Sequence, residues 1–269
     1  MDQKRTAKTE DDELAGTEAP LIEHLKELRK RLIISLSAVG VLFMVCFYFA
    51  DPLFAFLLGP FERAVGSIEN VRLIYTAPQE FFFTKLSVAL FAAVFFAAPI
   101  IVAQVYIFVA PGLYKRERGA FLPFLVATPA LFLAGAALMY YGVLPLALGF
   151  FLSQETGGTG TATIDMLPRV SEYLSLIMTL VLAFGICFQL PVLLTLLAKV
   201  DLVGSESLKR WRKYAVVAVL VVAATLTPPD PISQLGLALP LMLLYEVSII
   251  SVKLVERSRR KALATAPTD

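Results

Sequence analysis

Residues 86–109 read LSVALFAAVFFAAPIIVAQVYIFV, 24 consecutive positions without Asp, Glu, Lys or Arg. As an α-helix this run is about 36 Å long, enough to cross a hydrocarbon core of about 30 Å. Working outward from it, further apolar runs lie at Leu32–Ala50, Phe121–Leu144, Leu174–Leu197, Tyr214–Leu226 and Ile232–Val252. Only helices and closed barrels satisfy every backbone group in lipid, and runs of this length call for helices. The expected fold is an all-α integral membrane protein with six transmembrane helices. Composition agrees: 58% of residues are hydrophobic and 17% charged, with a mean hydropathy of +0.74, against roughly 45–50% and 25% in soluble domains.

Six spans put both termini on one side, and the cations say which. Of the 24 Lys and Arg, seven precede span one, three lie between spans two and three, five between spans four and five, and five follow span six. The remaining four, Arg63, Arg72, Lys85 and Arg169, fall on the other side. The positive-inside rule then places both termini in the cytoplasm. Residues 1–20, of mixed charge and without aromatic residues, are expected as a disordered tail. The membrane domain is expected over 21–255 and a cytoplasmic tail over 256–269. Neither a secretory signal nor a transit peptide is expected at the N-terminus, where Glu10–Glu13 are all acidic.

Leu21, Leu25, Leu28 and Leu32 recur on one helical face, predicting an amphipathic helix that runs into span one. The connection Asp51–Glu80, with Pro52, Pro60 and Pro78 among apolar clusters, reads as an ordered cap on the outer surface. The second outer loop, containing ETGGTGTAT, reads as mobile, and without a following GK[ST] it is no phosphate loop. Span five is too short: Tyr214–Leu226 gives about 20 Å of helix. The sequence LTPPDP then turns at once into span six, with Asp230 as N-cap and Pro231 at N1, so spans five and six are expected as a short hairpin.

Polar residues inside this apolar chain are the functional candidates. Gln189, beside Pro191 in span four, needs hydrogen-bond partners from the bundle or from a wet cavity. Structural bonding between helices and a functional face are both open to it. Glu246, close to Lys253, reads as partly hydrated. Glu27 and Glu117 sit among cations at the membrane boundary, where Glu27 can simply pair with Arg31 at i+4. His24 is the only histidine, and Cys46 and Cys187 lie in separate apolar runs. No cofactor or metal site, no nucleic acid partner and no enzymatic nucleophile–base pair is expected. A multi-span small-solute transporter or channel is the alternative, but neither an internal repeat nor a midplane ion path is visible.

Four phrases in order, HLKELRKRL, FVAPGLYKRER, AFGICFQLP and LTPPDPISQ, resemble the TatC family of twin-arginine protein translocase subunits over roughly Pro20–Val255. The resemblance implies a receptor for twin-arginine signal peptides in the bacterial cytoplasmic (inner) membrane. With single-span TatA/TatB-type partners, it would export folded proteins using the proton-motive force. It also implies a homo-oligomer within a larger complex. It places signal recognition on Glu27, Arg29 and Glu117, and further family positions on Pro60, Phe108, Asp230 and Gln234. Gln189 stands where many members carry a glutamate, so a titrating role there does not transfer. Two adjacent arginines in an extended peptide point to opposite sides, and two independent carboxylates can each take one planar fork.

Overall fold

The computed structural model describes residues 3–65, 73–109, 118–154, 168–199, 202–227 and 231–264. Glu117 and Asp230, and most of the loop carrying ETGGTGTAT, lie outside them. The elements are α1 (Gln3–Tyr48), α2 (Ala50–Val65), α3 (Glu80–Val109), α4 (Arg118–Leu138), a π-helical turn (Met139–Val143), α5 (Leu144–Gln154), α6 (Val170–Cys187), α7 (Leu190–Lys199), α8 (Ser205–Leu226) and α9 (Pro231–Ala264). The only β pairing among the described residues is a bridge between Ile74 and Arg169.

Five segments are long and apolar enough to cross a membrane: Ile22–Tyr48, Glu80–Phe108, Phe124–Phe150, Val170–Lys199 and Gln234–Ser258. Helix α8 is not among them. Its 22 residues begin with SESLKRWRK, so cations occupy its first turns and only the second half is apolar. The sixth helix departs from the expected short hairpin. It continues for 34 residues, well past the last apolar position, because a charged sequence without Gly or Pro after Val252 keeps the helical backbone and Glu256 finds a partner on α8. The N-terminal segment departs too. Residues 3–20, expected as a tail, continue α1 without a break.

The helices alternate in direction. Near the N-terminal half of α1, His24 meets Phe108 at the end of α3, and Lys199 at the end of α7 lies over the Phe124 ring near the start of α4, 5.0 Å from its centroid. Glu256 of α9 accepts hydrogen bonds from the Ser205 N–H (2.7 Å) and hydroxyl (2.5 Å) at the start of α8. That carboxylate caps α8 from another helix, a role its own N-cap, Gly204, cannot fill with a side chain. The opposite end is closed by α2, which packs Leu57 and Phe61 into the main cluster and so forms the expected ordered cap. There Asp51 pairs with Lys85, and Glu80 accepts from the Thr76 N–H (2.8 Å) and hydroxyl (3.0 Å) and from the Ser171 hydroxyl. Ile74 N–H donates to the Pro168 carbonyl and Val170 N–H to Ile74, each at 3.1 Å, so the segments leading into α3 and α6 are tied together.

Helix α6 is the centre, with Leu174, Ile177 and Phe184 all fully buried. Lipid is as apolar as these side chains, so close packing rather than escape from water holds such helices together. Small residues allow it. Cys46 of α1 packs against Ala89, Ala92 and Ala93 of α3. Where α4 crosses α6, two glycines admit two phenylalanines reciprocally. A Cβ on Gly135 would stand 2.7 Å from the Phe188 ring and 2.8 Å from the Phe184 carbonyl oxygen, and one on Gly185 would stand 2.5 Å from the Phe132 ring.

Two irregularities punctuate the central helices. In the π turn the Leu144 N–H reaches back five residues to Met139. The inserted residue turns Tyr140 toward α2, where its hydroxyl donates to the Phe56 carbonyl and its ring stacks on Phe56 at 4.6 Å. Between α6 and α7 the break at Phe188–Gln189 follows from Pro191, which has no N–H for the preceding turn. Pro99 and Pro240, by contrast, sit inside continuous helices.

Candidate functional site

Helix α1 presents Glu27 at a corner shared with α3. Its Oε1 accepts from Arg31 Nη2 at 2.8 Å, the i+4 pair that the spacing allows. Arg31 is in turn held by Gln104 of α3, Nη1 to Oε1 at 3.0 Å. One turn further along each helix, the His24 and Phe108 rings stack with centroids 4.3 Å apart and planes at 18°. Two contacts four residues apart on both helices fix the rotation of α1 against α3. Glu27 is therefore an oriented carboxylate, with its side chain about one third exposed.

This corner unites some of the sequence candidates and separates others. Glu27 and Phe108 belong to it. Arg29, two positions beyond Glu27 and so on another side of the helix, is exposed. Glu117 lies outside the described residues, nine positions after Phe108. Pro60, buried in α2, and Gln234, half-buried in the first turns of α9, sit toward the opposite end, as does the neighbourhood of Asp230, itself outside the described residues. Gln104 and His24 were missed. For Gln104 a signal existed: it is the single carboxamide in the 24-residue run of α3.

Gln189 lies inside the bundle, 7% exposed. Its Nε2 donates to the Thr128 carbonyl of α4 at 2.8 Å. Glu246 forms a two-pronged pair with Arg212, Nε and Nη2 each 2.7 Å from a carboxylate oxygen, joining α9 to α8. Beside it the Tyr245 hydroxyl donates to the Leu208 carbonyl at 2.9 Å. The hairpin is thus held at its charged end by polar bonds, while α8 turns an apolar side outward through Tyr214, Val217 and Val221, each more than half exposed.

The family model described as Sec-independent protein translocase protein (TatC) matches residues 23–240. A TatC protein of Magnetococcus marinus is 48% identical over 90% of this chain and 86% of its own length. One of Rickettsia prowazekii is 40% identical over 88% of this chain and 94% of its own. A solved structure described as the twin-arginine translocase receptor TatC superposes with a TM-score of 0.74 at 38% identity, covering 87% of this chain and 99% of that one. Identity at this level across nearly the whole bundle, with the same fold, makes this chain a member of the TatC family of Sec-independent protein translocase proteins.

Proposed function

We propose that this chain is the twin-arginine signal-peptide receptor and core subunit of a Tat translocase in the cytoplasmic membrane. Its six helices would span the bilayer over about 21–255 with both termini cytoplasmic. Single-span TatA/TatB-type subunits would join it, several copies assembling together, and the proton-motive force would drive export of folded cargo. The observation that carries the recognition step is the Glu27 corner. A carboxylate already holding one guanidinium at 2.8 Å has the geometry an incoming arginine needs, and Arg31 can yield its place because Gln104 still supports it. Lysine keeps the charge but lacks the planar fork, which gives the receptor its discrimination. Glu117, on a separate element, is the natural partner for the second arginine, with Arg29 at the exposed edge of the same helix.

The test is photo-crosslinking of a twin-arginine signal peptide, beside its twin-lysine version, to full-length protein in membranes. Glu27→Lys and Glu117→Lys should each abolish the preference for the arginine form. Retention of that preference in both variants overturns the assignment.

For the single-span partners, the outward side of α8 at Val217 and Val221 is the favoured seat, since it is apolar, exposed and belongs to a helix whose apolar half is too short to cross alone. Gln189 would then serve the fold rather than the partner. Cysteines at Val217 and in a partner's span should form disulfides; contacts confined to other helices would refute this seat.

A further inference from the structure

Two polar atoms in the apolar interior have no hydrogen-bond partner among the described residues: Gln189 Oε1 and Tyr106 Oη. Their side chains belong to residues 7% and 3% exposed. Leaving such groups unsatisfied costs about 1–3 kcal/mol each. Both are directed at one place, the side of α4 around Thr128. Gln189 is anchored there through its other amide atom, and the Tyr106 hydroxyl comes within reach of the Thr128 side chain. Tyr106 is also packed on Val192 and Leu196, just beyond the helix break that carries Gln189. The two orphans are complementary, a hydroxyl donor and a carbonyl acceptor, yet they do not bond directly.

Thr128 supplies a third group. Its hydroxyl donates to the Phe124 carbonyl at 2.8 Å, which leaves its oxygen free to accept. We propose that Tyr106, Thr128 and Gln189 form a binding site for one internal water molecule between α3, α4 and the α6–α7 break. The water accepts from Tyr106 and donates its two hydrogens to Gln189 Oε1 and Thr128 Oγ1. Three bonds are the usual complement of a buried water. Thr128 is itself 2% exposed, so a partner's side chain has no route to the site. A molecule small enough to enter through breathing motions does.

The experiment is X-ray hydroxyl-radical footprinting of the full-length protein in detergent, with enough scavenger to quench radicals formed in bulk solvent. Tyr173 and Tyr140 are the internal references, because they are equally buried but donate to the carbonyls of Leu57 and Phe56. Tyr106 is expected to oxidise several-fold faster than either, and Gln189→Leu to bring it down to their rate. Equal rates for the three tyrosines in the wild-type protein overturn the proposal without recourse to any variant. A fast Tyr106 that stays fast in a folded Gln189→Leu protein removes Gln189 from the site and overturns it as stated.

Discussion

Helix α1 and the crossing of α4 with α6 are built from similar apolar residues and behave oppositely. In the apolar window of α1 only 6% of residues are buried, against 50% in the windows of the third and fourth segments. In α1, Met44, Val41 and Leu36 face outward, while Phe132 and Phe184 at the crossing have no exposure to speak of. A peripheral helix in lipid needs only apolarity, which many sequences satisfy. A central pair needs shape, and shape is sensitive to a single methyl group. Recognition through Glu27 sits on the tolerant helix, whereas the demanding pair holds the fold.

Glycine substitutions break or sharpen this contrast most directly. Gly135→Ala and Gly185→Ala should each destabilise by roughly 1–3 kcal/mol, the range for overpacking. Gly135 should cost more, because its Cβ meets a backbone oxygen as well as a ring. Gly40→Ala in α1 meets nothing within 4 Å and should stabilise by up to about 1 kcal/mol from helix propensity. Thermal unfolding in detergent reads all three, and equal losses at Gly40 and Gly135 would erase the distinction between the helices.

Next in size is Glu80→Ala. It removes the acceptor shared by Thr76 and Ser171 and frees the start of α3 from the start of α6. A loss of about 1–2 kcal/mol is expected, with protease sensitivity rising in the segment before α3. Arg212→Met should cost less, about 0.5–1 kcal/mol, since both partners of the Arg212–Glu246 pair are half exposed. High salt should shrink its effect on the unfolding temperature; a salt-independent loss would mean that packing of the arginine stem carries it. Glu27→Gln should change stability least, within about 0.5 kcal/mol for an exposed i+4 pair. It should nonetheless remove discrimination between arginine and lysine peptides in pulldown. A large stability loss at Glu27 would make its role structural and break the separation of recognition from fold.

Much of this was legible because lipid imposes simple rules. Charge-free length located the helices, since a charge in hydrocarbon is expensive wherever the helix sits. The Glu27–Arg31 pair followed from helical spacing alone, and the cap from prolines among apolar clusters. Other features had no local signature. The π turn depends on Tyr140 meeting Phe56 of a distant helix, and the burial of Gln189 depends on a carbonyl 61 residues away. Gln104 looked like an isolated amide until α1 docked. The long last helix was misjudged because apolarity marks where lipid ends, whereas a helix continues as long as its backbone and its neighbours allow.

The sequence by itself therefore determined the solvent, the helical class, the approximate number of helices and the family, all set by composition, period and ordered local motifs. Only the tertiary structure decided which helices are central, that Gly135 and Gly185 exchange places with phenylalanine rings, and that Glu27 is oriented through Arg31 and Gln104. The physical reason is one of range. Transfer into lipid is summed residue by residue along the chain, but packing and hydrogen bonding between helices depend on which surfaces meet, and that is a property of the whole fold.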